Sequence, residues 1–386
     1  MKVLWLASWY PSVLYPYDGD FIQRHANAAA LFSNIEVIHV VKDPEGIFTN
    51  DVKETVIIND QLTERVFYYK PVKTSIGIVD RLLSHAKYMR IYREAVKKYI
   101  AENGKPGFIH VHIAMKAGLV ALWLKRKMNI PYLLTEHWGG YLVNANPNIR
   151  NFNMVFKYYS RKIIKGANAC SFVSAVLEKQ LINVYKIKNS VVIPNVVNTK
   201  VFYPVQKAAS NRIRFIHISI MTYQKNVEDI LKAMVLLKNQ YDFDLYLFGT
   251  INPQLEKLIV ESGLQNQVFV KGEVSQESLA EEIRQSDALI LYSRYETFGC
   301  VIIEANACGI PVIVSDLAVF HEIIEAGVNG IFAEGENPEA LAEKLRQFIL
   351  QRNIFDKTAI AATTAGKYNY KKVGQQFMDL YHTITN

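Results

Sequence analysis

The stretch SRYETFGCVIIEANACGIP, residues 293–311, decides how the rest of the chain is read. Before it stands Asp287–Tyr292 (DALILY) and after it Val312–Asp316 (VIVSD), short and almost wholly apolar runs of the kind that form buried parallel strands. Between them, Phe298-Gly299 opens a helix and Gly309-Ile310-Pro311 closes it, with glycine ending the helix and proline blocking its continuation. A helix that begins directly after a buried strand turns unpaired N–H groups and the positive end of its dipole toward the loop, so it attracts an anion. Two carboxylates flank that point. Glu296 lies in the loop, and Glu304 lies inside the helix, roughly 7.5 Å beyond its start at about 1.5 Å per residue. Around Glu304 are Val301, Ile302, Ile303, Ala305 and Ala307, so an unpaired carboxylate there would be costly and needs donors. Those donors are either the hydroxyls of a ligand or a nearby Arg or Lys. The spacing suits a ligand with a phosphate in its middle and hydroxyls at its ends, as a nucleotide-sugar has.

Outward from this stretch the same alternation repeats. Strands are expected at Arg214–Ser219, Asp244–Phe248 and Val268–Val270, and helices at Val227–Lys238, Gln254–Ser262, Glu277–Gln285 and Pro338–Leu350. Toward the N-terminus, strands are read at Lys2–Ala7, Ile35–Val41, Val66–Tyr69, Phe108–Ile113, Pro131–Thr135, Ala169–Val173 and Val191–Ile193, with helices between most of them; 42–60 is read as loop or hairpin. The irregular polar segment Asn195–Asn211 divides the chain. The fold expected is α/β, two Rossmann-like doubly wound domains facing each other, with the active site in the cleft between them.

Composition bounds the function. Half of the 386 residues are hydrophobic, enough for two cores. The apolar run of MKVLWLASWYP is too short for a signal peptide or a membrane span, which leads to the expectation of a cytoplasmic protein. Cys170, Cys300 and Cys308 form no C-x-x-C pair and read as reduced core residues. Residues 1–198 carry 26 Lys and Arg against 14 Asp and Glu (+12), whereas the remainder carries 18 against 22 (−4). A basic first half points to an anionic partner, such as an acidic membrane surface or a phosphate-bearing acceptor; no nucleic-acid motif is found. The helical pattern Arg81–Ala101 is basic and amphipathic, which fits either an acidic bilayer or packing on a sheet.

The first strand ends in an aromatic loop that reaches Gly19-Asp20 before the next helix, and no G-x-G-x-x-G follows, which disfavours a dinucleotide oxidoreductase. His110 and His112 share one side of a strand, but no third ligand is near in sequence, so they read as packed residues. His137 follows a strand at its carboxyl end, where ligands of open α/β sheets collect, and is the better candidate.

These residues resemble the retaining GT-B glycosyltransferases of family 4. Glu296 and Glu304, with seven residues between them, match the E-x7-E motif, and ETFGCVIIEANACGIPVIVSD follows the family's wording almost position by position. SFVSAVLEKQL, VIPNVVNTKVF, VFVKGEV and EAGVNGIFAEGENPEALAEKL resemble further family phrases, so the likeness covers nearly the whole chain. The resemblance implies an acceptor-side domain at residues 1–197 and a donor-binding domain at 198–367, with a C-terminal helix at about 368–386 packing back on the first. It implies that Glu304 holds the donor ribose, that Glu296 and His137 touch the transferred sugar, and that Lys225 neutralises the diphosphate. Phe298, Gly299, Gly19, Asp20, Lys271, Gly272, Val274 and Arg294 are the other donor-binding candidates. No cofactor and no metal are implied; the nucleoside-diphosphate-sugar is the substrate, and the acceptor is a glycan or a lipid-linked glycan. The family arginine before the lysine is missing, Ser219 and Ile220 standing in its place, and Asn226 replaces a glycine. Arg294 and Arg24 are the candidates for the second cation. Two rival readings remain, a sugar-nucleotide 2-epimerase of the same fold and a non-catalytic nucleotide-sugar-binding subunit.

Overall fold

The computed structural model describes residues 1–206, 210 and 212–385; part of the expected dividing segment 195–211 and the last residue of the C-terminal segment lie outside the described residues. The first sheet contains β1 (Lys2–Ala7), β2 (Asn34–Lys42), β3 (Val52–Asn59), β4 (Leu62–Tyr69), β5 (Ile109–His112), β6 (Tyr132–Glu136), β7 (Ala169–Phe172) and β8 (Ser190–Val192). Its order is β3-β4-β2-β1-β5-β6-β7-β8, and only β3 runs antiparallel to its neighbour. The second contains β9 (Ile213–Ile218), β10 (Phe243–Phe248), β11 (Val268–Gly272), β12 (Ala288–Leu291), β13 (Val312–Ser315) and β14 (Gly330–Ala333), all parallel, in the order β11-β10-β9-β12-β13-β14. Both are doubly wound, as the alternating pattern leads one to expect.

Central strands such as β1, buried from Val3 to Ala7, show no alternation because helices cover both faces. On one face of the first sheet, α2 (Gly77–Asn103), α3 (Ala117–Met128) and α4 (Met154–Gly166) pack side by side. The apolar stripe of α2 meets the sheet through Tyr88, Ile91, Tyr92 and Val96, which is the packing alternative for this basic helix. Its first turns are different: Ile78, Leu82 and Leu83 are exposed. The other face carries α1 (Asp20–Ala30) and α12 (Tyr370–Thr385). These two helices approach backbone to backbone at Gly374, where an added Cβ would lie 2.1 Å from the Ala28 carbonyl oxygen. Val373, Phe377 and Tyr381 of α12 are buried in the same apolar cluster as Trp5 and Ile22. The segment 42–60, left as loop or hairpin, supplies β3, the outer arm of a hairpin whose residues are mostly exposed.

Around the second sheet are α6 (Val227–Leu237), α7 (Pro253–Glu261), α8 (Gln276–Arg284), α9 (Cys300–Ala307), α10 (Pro338–Gln351) and α11 (Lys357–Tyr368), while α5 (Ala175–Tyr185) belongs to the first. The two halves meet through Tyr17 Oη donating to the Val274 carbonyl at 3.2 Å and Tyr295 Oη donating to that of Asn146 at 2.6 Å. No helix among the described residues is long and apolar enough to cross a membrane.

Candidate functional site

A cavity of about 700 Å³ opens between the carboxyl ends of the two sheets. The second-domain wall is built by α9, with Gly299 as its N-cap, and by the loops after β9, β10, β11 and β12. The first-domain wall is built by the start of α1 and by the loop after β6. Glu296, Phe298, Gly299, Glu304, Lys225, Gly272, Val274, Asp20 and His137 all line this space.

The two carboxylates of the motif are buried, Glu296 at 7 % exposure and Glu304 at 2 %. Each has a cation. Lys225 donates to Glu296 Oε1, which also accepts the Ser293 hydroxyl at 3.1 Å. Arg24, on α1 of the other domain, donates through Nη1 to Glu304 and through Nη2 to Asp20, one turn back on its own helix. Burial raises the Glu304 carboxyl and Arg24 pulls it back down. Burial would lower the Arg24 guanidinium, but Glu304 and Asp20 hold it well above its ordinary value. Glu304 is therefore half of a buried ion pair that crosses the cleft.

Three of the candidates lie elsewhere. Arg294 does not reach the cavity, because its guanidinium sits between Glu228 (2.8 Å) and Glu336 (3.3 Å) and over the Tyr223 ring. Its Nη1 donates to the Tyr223 carbonyl at 2.6 Å and its backbone N–H to that of Gln224 at 2.8 Å, so it clamps the turn that carries Lys225. Lys271 points to solvent, its ammonium 5.5 Å from the Tyr246 ring. Gly19 stands behind the wall: its φ of +69° starts α1, and an added Cβ would lie 2.6 Å from the Trp9 carbonyl carbon. Its neighbour Asp20 is the residue that faces the space. Asn226, in place of the family glycine, adopts φ +51°, a conformation that asparagine tolerates better than most side chains.

The loop after β6 is held by Glu136. This carboxylate is fully buried and accepts the backbone N–H groups of Ala114, His137 and Trp138, each at 3.0 Å. Burial still outweighs these donors and raises its pKa to about 7. The His137 ring lies 4.8 Å from Phe21 and 5.5 Å from His25, and burial lowers its pKa well below the ordinary value.

Arg24 is thus the cation that completes the pair, and the one sequence mark it carries is its place four residues after Asp20 on the helix that follows the glycine loop. Chemically, the site offers two carboxylates for hydroxyls and two cations for an anion, in a space large enough for a nucleotide.

The family described as glycosyl transferases group 1 matches residues 200–367, and the one described as glycosyltransferase family 4 matches residues 56–201. An uncharacterised glycosyltransferase of Methanocaldococcus jannaschii is 28 % identical over 349 residues, covering 90 % of this chain and 88 % of its own. Among solved structures, sucrose-phosphate synthase from Thermosynechococcus elongatus superposes with a TM-score of 0.78 at 20 % identity, covering 100 % of this chain and 99 % of its own. Anabaena HepE in complex with UDP does so with 0.71 at 16 %, covering 99 % and 100 %.

Proposed function

The chain belongs to the two-domain glycosyltransferases whose models it matches, and on that premise we propose that it is a retaining enzyme that moves a hexose from a nucleoside-diphosphate-sugar to an acceptor hydroxyl. The observation that carries this reading is the pairing of Glu296 with Lys225 and of Glu304 with Arg24 at one cleft. Residues 198–367 bind the donor and residues 1–197 the acceptor. Glu304 takes the ribose hydroxyls, and Glu296 and His137 those of the transferred sugar. Asp20, Phe298, Gly299, Gly272 and Val274 complete the donor wall, with backbone N–H groups of Phe298 and Gly299 toward sugar or phosphate.

As the donor enters, Lys225 and Arg24 leave the carboxylates for the diphosphate. Fixed cations stabilise the charge that develops on a leaving diphosphate, and on this reading Lys225 and Arg24 are those cations, with no metal ion required there. The leaving diphosphate accepts the acceptor's proton while the new bond forms on the face it vacates, so retention requires no protein nucleophile.

The acceptor we propose is a growing surface polysaccharide or a lipid-linked oligosaccharide, met at the inner face of the membrane. Ile78, Leu82 and Leu83 of α2 are exposed, and the start of α4 exposes Met154, Val155 and Tyr158 on the helix that also exposes Arg161, Lys162 and Lys165. Apolar side chains ringed by cations fit an acidic bilayer.

The test is a thermal-shift screen of UDP-, GDP- and ADP-sugars, followed by assay of nucleoside diphosphate release with and without acceptor. A donor that binds the folded state raises the melting temperature. Release that rises with acceptor supports transfer; turnover independent of any acceptor would overturn it.

A further inference from the structure

Behind the first-domain wall of the cleft, His25 of α1, His110 and His112 of β5 and His137 after β6 are packed together. His110 is fully satisfied, with Nδ1 at 2.8 Å from Tyr381 Oη and Nε2 at 2.6 Å from Thr135 Oγ1. The other three each keep one buried ring nitrogen without a hydrogen-bond partner: His25 Nδ1, His112 Nε2 and His137 Nδ1. Their residues are 0 %, 0 % and 5 % exposed. An ion between the rings would take up His25 Nδ1, while His112 and His137 turn their other nitrogens, Nδ1 and Nε2, toward each other.

The geometry indicates what fits. One nitrogen of each of the three rings lies within 4.8 Å of the other two. His112 Nδ1 and His137 Nε2 face each other at 3.4 Å; two imidazole nitrogens at about 2.05 Å from one tetrahedral ion stand roughly 3.3 Å apart. Ring centroids around such an ion are separated by roughly 5.2 Å. Here they are 5.5 Å for His25–His137, 5.7 Å for His112–His137 and 6.5 Å for His25–His112, so the inward swing required is mainly that of His25. The outer nitrogen of His25, Nε2, stands 2.9 Å from the Pro194 carbonyl. A hydrogen bond to that oxygen makes Nε2 the N–H and leaves the Nδ1 lone pair bare, the outer contact that metal-bound histidines typically make.

We propose that His25, His112 and His137 bind one divalent transition ion of the zinc class, with the remaining coordination position open to water. The neighbouring charge of Arg24 is met by Asp20 and Glu304. This ion is not one that would hold the diphosphate. It ties α1 to the ends of β5 and β6 and fixes the orientation of the His137 ring, and the inference stands whether or not the donor reading does.

The full chain, carrying no polyhistidine tag, is stripped with a chelator, equilibrated with Zn2+ or Co2+ and desalted. Elemental analysis is expected to find one ion per chain, the Co2+ form to show the visible absorption of a tetrahedral site, and Zn2+ but not Mg2+ to raise the melting temperature. His112→Asn and, separately, His25→Gln are expected to weaken binding by roughly 10–100-fold or more, the scale already set by altering the partners of metal ligands. His321→Asn, at an exposed position remote from the cluster, is expected to bind as wild type does. Wild-type protein that retains no ion, or Co2+ without the tetrahedral spectrum, overturns the proposal whatever the variants do, and leaves water as the occupant. Unchanged stoichiometry and affinity in a folded His25→Gln variant overturns it as well.

Discussion

Acid should unfold this protein unusually early. Six of its nine histidines, His25, His39, His110, His112, His137 and His217, are less than 9 % exposed. Burial is the first cause that lowers each, His25, His39 and His217 to about 4 and the rest well below the ordinary value. A group whose folded pKa is depressed contributes stability above its unfolded value and loses it as the pH falls below that value, here about 6.5. At pH 5.5 an unfolded imidazole is about 90 % protonated, so each one kept neutral in the fold removes roughly 1.4 kcal/mol relative to pH 8. Six remove about 8 kcal/mol. Glu136 works the other way: its folded pKa of about 7 lies above the unfolded value, so its penalty is relieved as the pH falls and returns about 2 kcal/mol over the same range. The net loss of about 6 kcal/mol is comparable with the whole stability of many proteins. Urea midpoints followed by the fluorescence of the four tryptophans at pH 8, 6.5 and 5.5 measure it directly. His39→Gln should reduce the loss by about 1.4 kcal/mol. A fall of less than about 2 kcal/mol would refute the reasoning, because protons would then reach these imidazoles without unfolding.

Three further outcomes are expected. Glu304→Gln should weaken donor binding by roughly 1–3 kcal/mol, about 5- to 150-fold, by calorimetry with the sugar nucleotide found in the screen; unchanged affinity in a folded variant removes the ribose role. Lys225→Ala should lower turnover far more than melting temperature, since the lysine ends a short 3-10 turn and its side chain is 22 % exposed; a large drop in melting temperature with normal turnover would make it structural. Gly374→Ala should destabilise by roughly 1–3 kcal/mol despite a helix propensity gain of up to about 1, because the new methyl meets the Ala28 carbonyl; an equal or raised melting temperature contradicts the close packing of α12 on α1.

Much of the fold was legible because buried parallel strands appear in sequence as unbroken apolar runs: β1 falls where its pattern begins and ends. The arm β3 was not, since a hairpin edge with exposed residues such as Ile57 and Ile58 lacks the alternation that marks a half-buried strand. In the site, the carboxylates were legible from one local motif; Lys225 and Arg24 were named as cations, but which carboxylate each pairs with was not legible. Lys225 and Glu296 are 71 positions apart, and Arg24 and Glu304 are 280 apart, so only the fold brings them together. Arg294 shows the converse. It adjoins the motif in sequence, yet nearby carboxylates on α6 and before α10 turn its side chain away. His25 was unreadable as a neighbour of His112 and His137 for the same reason, since α1 and the ends of β5 and β6 share no sequence pattern.

The Arg24–Glu304 pair gives the empty cleft a stand-in for its substrate. On the proposed reading, Glu296 and Glu304 hold the two cations near the place where the diphosphate arrives, so donor entry is an exchange of partners in which each carboxylate trades a cation for hydroxyls. The positive charge is already held close to the site before binding, so the reorganisation left is the exchange of partners itself. The same exchange run backwards helps the spent nucleoside diphosphate to leave, because the carboxylates compete for the cations it held. The strength of donor binding is then set as much by what the empty protein gives up as by what the complex gains.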